Sequence, residues 1–574
     1  MSRSKAAFAG HSRESHAATP AAAPDLLHVD ARLGLDPENV QTLLELSFLG
    51  REAAKDLDRV LAGVTPEADW NLDLFAEDLF VRELIHDCFE LRVEGLRYPV
   101  NEEFLFQVFS APPTDIEAIR FRQEILRELA ADETLLRRAE RLYVEVSKLL
   151  AMFKTPDHAQ RLDIHSYRLD VFRQAKGIID RMAEGFAGAT SGLHRLAETG
   201  KQMRRTRAYR RMSDLLDYEQ HQSRLRVSVQ IGGDGEIKDL RILDIRDNEE
   251  NPHYLPHWRR LWHRFRAFFY GYKVSKKVIL HRLLGEMFVD VAPSLVPLVQ
   301  ILGHLEVYLT AHGFARRMGE EGLDMCLADL GEGKTLRLEQ LFNPLLLATE
   351  EPPQPCSLAY SQDQQITLVT GPNSGGKTRL LQSLGLIQVL GQSGMYVPAA
   401  AAELPLVHGL FVSLVETEDA HQGEGRLGRE MMRIRRLFTT MGTPSLVILD
   451  ELCSGTNPKE GIEIFDLVLR LLERLDTQAV ISTHFLDYAQ RLHDERPVRG
   501  MEFLQVEVAP DLSSTYQFIP GVAETSLAAE TAQRLGVTFE ELAELIDQRK
   551  GHDVAETLPD FPATLPRPET ATAG

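Results

Sequence analysis

The chain has 574 residues, with 64 Lys+Arg against 85 Asp+Glu for a net charge of −21, and it is 44% hydrophobic and 26% charged. These are globular proportions, and at roughly 150 residues per domain they allow about four units and a sizeable core. The four cysteines (Cys88, Cys326, Cys356, Cys453) are far apart and form no CxxC pair, so neither a disulfide framework nor a zinc ribbon is implied and a reducing cytosol is expected. The acidic total repels phosphate, so any nucleic-acid contact must come from local basic patches.

Residues 1–35 are rich in Ala, Ser, Pro and His without periodicity and have no apolar segment of the signal-peptide kind; they are expected to be a disordered tail. A mostly α-helical core or lever region is expected over 36–340, because apolar residues recur at three- and four-residue steps, as in Leu84, Ile85, Cys88, Phe89 and again in Phe121, Ile125, Leu126, Leu129. Within it, Phe75 sits in a stretch of helical texture (NLDLFAEDLFVRELI) and is expected to face the core. Residues 225–245 interrupt the pattern: alternating LRVSVQI and IKDLRILDI flank GGDGE, which predicts a β-hairpin insertion.

Two basic stretches make a rudimentary clamp conceivable around 201–285. Lys201 to Arg211 holds six Lys/Arg in eleven residues, and Asn251 to Gly285 holds eight Lys/Arg and no Asp or Glu. In the second stretch the cations interleave with Trp258, Trp262, Phe265, Phe268, Tyr270 and Tyr272, a mixture suited to phosphate contact and base stacking. Arg204, Arg205, Arg259, Arg260, Arg264 and Arg266 are therefore the candidate contacts to double-stranded DNA. The same spacing also fits a solvated helix face over a core, or a basic helix on an anionic membrane surface. His253, His257 and His263 lack a carboxylate or thiol partner, so they do not suggest a metal.

After Leu338 the texture changes to β-branched runs (ITLVTG, LVHGLFVSLV, PSLVILD, TQAVIST) alternating with helical stretches, the pattern of an α/β domain with a largely parallel sheet. Ile366 to Thr378 reads ITLVTGPNSGGKT, a strand followed by G-x-x-x-x-G-K-T and a helix. The loop of Gly371, Pro372, Asn373, Ser374, Gly375 and Gly376 can cradle phosphates with the backbone N–H groups of its non-proline residues, while Lys377 reaches the β and γ oxygens and the Thr378 hydroxyl ligates Mg²⁺. A second GKT, at 333–335, has Ala328 in place of the first glycine and is read as chance; Gly423, Gly425 and Gly428 spell GxGxxG without the acidic residue a dinucleotide site needs. The uncharged run Leu380 to Ala402 holds three Gln, three Gly and a Pro, which fits a helix, a turn and a strand start rather than an integral membrane segment.

LVILDE, Leu446 to Glu451, makes a buried strand delivering Asp450, a second candidate Mg²⁺ ligand, and Glu451, the candidate base for an attacking water. A third strand, Ala479 to Thr483, ends in His484, which can polarise a γ-phosphate or serve as a structural histidine.

Taken together, these residues resemble the MutS family of DNA mismatch repair and recombination ATPases. TGPNSGGKT is similar to its TGPN-x-GGK loop, Gly394 to Ala399 to its G-x-x-VPA turn, Asp450-Glu451 with Gly455-Thr456 to its DE-x-x-x-GT segment, and Thr483-His484 to its histidine switch. Gly521 to Ser526, Ala532 and Gly536 are similar to the segment that leads to the family's helical dimer contact. The resemblance implies an ATP-binding-cassette-type P-loop NTPase domain over 341–535 using ATP and Mg²⁺, a dimer helix at 536–551, and a homodimer that clamps mismatched, branched or distorted DNA. Residues 552–574 repeat Pro, Ala and Thr and are expected to be a disordered tail.

The departures are specific. Where the family signature offers a serine to the partner's nucleotide, this chain has Gly425, Arg426, Leu427, Gly428, Arg429, so either Arg426 or Arg429 supplies charge in trans or the trans contact is weak and the module binds nucleotide with little turnover. Arg379 replaces a small hydroxyl after GKT. A form without the mismatch-recognition and small MutS-related nuclease domains is expected.

Overall fold

A computed structural model describes residues 24–49, 70–154, 164–220, 223–231, 237–247, 276–331, 333–348, 352–360, 364–372, 374–414, 426–453, 457–475, 477–510, 513–524 and 539–552. Its first part is helical: α1 (Pro37–Phe48), α2 (Val81–Cys88), α3 (Glu102–Ser110), α4 (Ile116–Ala131), α5 (Glu133–Lys154), α6 (Ile164–Gly185), α7 (His194–Arg205), α8 (Arg207–Gln220) and the 45-residue α9 (Lys276–Glu320). Side-chain acceptors fix the starts of several helices: Asp36 caps α1, Asn101 caps α3 and Asp115 caps α4, each meeting first-turn N–H groups that have no partner inside the helix.

A short hairpin, β1 (Leu91–Val93) with β2 (Leu96–Tyr98), turns through Glu94 and Gly95 at positive φ. The expected insertion is present as antiparallel β3 (Ser223–Ile231) and β4 (Ile237–Asp247). By length and hydropathy, the segment Leu284–Glu320 could cross a membrane, yet 67% of its apolar window is buried in this fold, as the core of the helical half. Phe75 is 1% exposed and packs edge-on against Trp70 at 5.6 Å, which makes it a core residue and not a wedge for DNA.

One expectation needs correction. Residues 24–35 are not part of a loose tail: Asp25, Leu26, Leu27 and Leu35 are buried. The Leu26 N–H donates to His304 Nδ1 (3.1 Å), and Gln300 accepts from Gly34 N–H (2.8 Å) while donating to the Arg32 carbonyl (2.9 Å). The segment carries no period of its own because α9 supplies its partners from more than 260 residues away. Residues 1–23 and 553–574, where tails were also expected, lie outside the described residues.

The second part is an α/β unit. Its main sheet has the order β12-β13-β14-β9-β15-β16, with β9 (Ile366–Thr370), β12 (Leu410–Ser413), β13 (Leu446–Leu449), β14 (Gln478–Ser482) and β15 (Met501–Val508) parallel and β16 (Ser514–Pro520) antiparallel at the edge. A smaller sheet, β6-β11-β7-β8, is built from β6 (Asp329–Gly331), β7 (Leu336–Leu341), β8 (Cys356–Tyr360) and β11 (Ala401–Pro405), beside the two-residue pair β5 (Cys326–Leu327) and β10 (Tyr396–Val397). The chance GKT follows the short strand β6 but runs into β7 and not into a helix.

Helix α10 (Lys377–Gln392) follows the phosphate loop, and all but two of its residues are buried. It is wedged between the sheet and the helical half, so that one hydrophobic core runs through both. That position explains the uncharged run: Gln388 donates to the Pro405 carbonyl (2.9 Å) and Gln392 to the Val407 carbonyl (2.5 Å), satisfying buried polar groups without charge. The opposite sheet face is covered by α11 (Arg426–Thr440), α12 (Pro458–Leu475) and α13 (Leu486–Glu495). A last helix, α14 (Phe539–His552), exposes Phe539, Leu542, Leu545 and Ile546.

Candidate functional site

Because β13, β14 and β9 are parallel and in register, their carboxyl ends open on one edge, where sheets of this kind bind ligands. The loop after β9 closes there on two glycines at positive φ, Gly371 at +138° and Gly376 at +82°, with the crowded Gly375 between them. A Cβ at Gly371 or Gly375 would come within 2.8 Å of the Val506 side chain on β15, so only glycine lets the loop pass under that residue. Gly376 caps α10 with no side-chain acceptor, leaving first-turn N–H groups directed at the loop, the arrangement that binds phosphate.

Lys377 is 3% exposed, and its Nζ donates to the carbonyls of Gly371 and Pro372, both at 2.9 Å. Burial lowers its pKa, and the carboxylates of Glu451 and Asp450 oppose that shift. The lysine is thus held over the loop by acceptors that a phosphate would replace.

The Thr378 Oγ1 donates to Asp450 Oδ2 at 2.5 Å, and Ser482 Oγ donates to Asp450 Oδ1. Ser482 in turn accepts the Glu451 N–H at 2.9 Å. Three sequence segments therefore converge on one carboxylate. A hydroxyl and a carboxylate are hard oxygen donors, and two protein ligands plus water and phosphate oxygens are what Mg²⁺ takes at such sites, so the residues present fit that ion. Glu451 is half-buried at φ +48°, a strained conformation for a non-glycine residue, and it follows directly on the Asp450 ligand. His484 is exposed at the end of β14, its ring 4.2 Å from that of Phe485.

A cavity of about 610 Å³ extends from Ser374, Lys377 and Thr378 over Phe342, Arg379 and Tyr516. It is large enough for the remainder of a nucleotide whose triphosphate occupies the loop.

Several contributors escaped sequence reasoning. Ser482 is visible only as a hydroxyl one residue before Thr483-His484. Glu430 on α11 accepts the Cys453 N–H just beyond Glu451. Asp78 accepts the Leu414 N–H (2.9 Å) and pairs with Arg433 (2.9 Å), which also donates to Ser413 Oγ (2.9 Å); the Ser413 carbonyl accepts the Asp450 N–H (2.9 Å). A residue of the helical half is thereby linked to the candidate Mg²⁺ ligand through an Asp78–Arg433 pair that spans 355 positions and that no local pattern signals.

Other expected site residues are less complete. Asn373, Gly425, Arg259, Arg260, Arg264 and Arg266 lie outside the described residues, as does the side chain of Arg426. Arg429 is half-buried on α11. Arg204 pairs with Asp180 (2.7 Å) and Glu184 (2.5 Å) of α6, so carboxylates of the helical half already meet its charge, while Arg205 is exposed in the last turn of α7.

A family model for MutS domain V matches residues 367–545. The chain is 27% identical over 281 residues to an endonuclease MutS2 of Streptococcus gordonii, 28% over 270 to that of Thermomicrobium roseum and 29% over 270 to that of Alkaliphilus metalliredigens. These alignments cover 47%, 46% and 46% of this chain and 34%, 34% and 33% of the relatives, so the similarity spans about a third of their length. MutS domain V is the ATPase domain of the P-loop NTPase fold, and the loop, strands and carboxylates assembled at the sheet edge lie in the part of this chain, residues 367–545, that is similar to it.

Proposed function

We propose that the protein is a cytoplasmic, homodimeric, Mg²⁺-dependent ATPase whose nucleotide cycle drives the clamping of double-stranded DNA, with branched or otherwise distorted DNA preferred over single mismatches. The observation that carries the reading is the convergence of Lys377, Thr378 and Asp450 on one loop, with Glu451 next in line. ATP exchanges its phosphate oxygens for the loop carbonyls at Lys377 and takes up the first-turn N–H groups of α10. Thr378 and Asp450 would hold Mg²⁺, which when bound would supply charge neutralisation on the phosphates. Glu451 orients the attacking water and accepts its proton, and His484 lies at the same edge to polarise the terminal phosphate.

The exposed apolar face of α14, Phe539, Leu542, Leu545 and Ile546, supports a second copy as its cover. DNA would meet Arg205 and the basic aromatic stretch with Arg259, Arg260, Arg264 and Arg266. The buried Phe75 supports a weak response to mismatches, since kinking DNA needs an accessible apolar wedge.

The test is a titration with homoduplex, G·T-mismatched and branched DNA, with and without ATP, across a salt series, alongside ATP turnover. The expected result is turnover stimulated by branched DNA, binding whose log K falls with log salt, and no more than a few-fold preference for the mismatch. Turnover without any DNA response would move the reading to a switch acting on a protein partner or an anionic membrane surface.

A further inference from the structure

Arg379 is the third residue of α10, after Lys377 and Thr378, and the first turn of that helix contains no acidic residue. Two cations at the positive end of a helix dipole are mutually unfavourable and unfavourable with the dipole. Lys377 relieves its share on the loop carbonyls. Arg379 has no such outlet: its Nη1 donates to the neutral Gln382 Oε1 at 2.9 Å, and among the described residues it makes no ion pair with a carboxylate. The same Gln382 oxygen also accepts from Asn343 Nδ2 at 2.8 Å, which fixes the amide that in turn holds Arg379 on the wall of the 610 Å³ cavity.

Direction along the site follows from the carboxylates. Asp450 and Glu451 mark the end where the terminal phosphate reacts, so the cavity beyond Thr378 receives the opposite end of the nucleotide. Arg379 stands on that side. We propose that Arg379 binds the α/β-diphosphate portion of the nucleotide as a second cation of the phosphate site, so that ADP is held by the same contact as ATP. The proposal rests on the nucleotide reading above and adds the phosphate position that this arginine recognises. A guanidinium suits it because its planar fork meets phosphate oxygens in pairs, which a small hydroxyl or an ammonium does not. Product release would then be slowed by a contact that hydrolysis does not break.

Calorimetric titration of the full chain with ATP (in a Glu451→Gln background, to prevent turnover) and with ADP, both with Mg²⁺, tests this. Arg379→Ser should weaken ATP and ADP by the same factor, about ten- to a hundredfold, and Arg379→Lys should recover part of it. Because Arg379 is exposed, the loss should shrink at high salt. Circular dichroism and the urea midpoint of Arg379→Ser should match the parent. Unchanged affinity for both nucleotides, or a loss confined to ATP, overturns the role of Arg379 while leaving the nucleotide site intact. Failure of the parent chain to bind either nucleotide would instead remove the nucleotide reading, and the proposal with it.

Discussion

Two buried ionisable groups, one in each half, differ in an instructive way. Glu306 in α9 is 3% exposed, and burial pushes its carboxyl up to about 7 against the Asn101 N–H, the Tyr143 hydroxyl and the Lys154 charge. Lys377 in α10 is equally buried, and burial lowers its pKa. Yet Glu306 is met by donors from other elements of the fold, whereas the hydrogen bonds of Lys377 go to its own loop, beside helix N–H groups with no side-chain cap. A displaced pKa alone therefore does not mark the site; unmet backbone donors at the end of a strand do.

The rest of the helical half follows the Glu306 pattern. Burial by itself would raise the Asp25 carboxyl, but the His28 hydrogen bond, the His304 and His28 charges and the Leu27 N–H bring it down to about 2. Arg122 spends its guanidinium on the Leu27 carbonyl (2.9 Å) and the Ser393 carbonyl (3.1 Å), tying the N-terminal segment to the turn after α10. These charges are staples between distant segments.

The largest expected effect is at the sheet edge. Glu451→Gln should retain ATP binding and lose turnover by about 10²- to 10⁴-fold, whereas Lys377→Ala should lose binding itself; wild-type turnover in Glu451→Gln would show that the base lies elsewhere. Next comes a staple: Arg122→Ala should cost about 2–4 kcal/mol by urea denaturation, since it orphans two buried carbonyls and leaves a void, with little change in nucleotide affinity. Equal urea midpoints for Arg122→Ala and the parent would break the contrast between the halves.

A smaller effect is a pH dependence. Glu306 binds its proton more tightly in the folded state (about 7) than at its ordinary 4.5, so its contribution is full below pH 4.5 and lost as pH rises toward 7. His304 is pushed down by burial from 6.5 to about 4, so its contribution is full above pH 6.5 and lost as pH falls toward 4. The two oppose each other across pH 5–6.5. Glu306→Gln removes one of them, so between pH 5 and 7 the variant should gain on the parent by up to about 1.4 kcal/mol per pH unit, read from urea midpoints; a constant difference would refute the assignment. The smallest effect separates two neighbours: Arg205→Gln should flatten the salt dependence of duplex binding by up to about 0.9 in slope without loss of stability, while Arg204→Gln should lower stability.

Much of the sheet half was legible because its signals are local. The loop glycines, Lys377-Thr378 and the Leu446–Leu449 strand with Asp450-Glu451 are contiguous runs whose chemistry depends on immediate neighbours. The β3–β4 hairpin was equally plain from alternation around a glycine-rich turn. What escaped depends on distance along the chain: residues 24–35 look loose because their partners are in α9, Arg204 looks free because Asp180 and Glu184 lie in α6, and Asp78 looks ordinary because Arg433 is its partner. The β1–β2 hairpin was missed because three-residue strands give no readable period.

The closeness of Val506 to Gly371 and Gly375 has a consequence for the descent of this sequence. A Cβ at Gly375 would lie 2.8 Å from Val506 Cγ2 and 3.0 Å from the Pro372 carbonyl, so a lineage that enlarges position 506 presses on the loop, and one that shortens it uncovers the loop from above. Positions 371 and 375 lie in one loop and 506 on a strand some 130 residues away, yet the three can drift only as a set. Substitution histories at this strand and this loop are expected to be correlated, with valine-sized residues retained at 506 for as long as the two glycines persist.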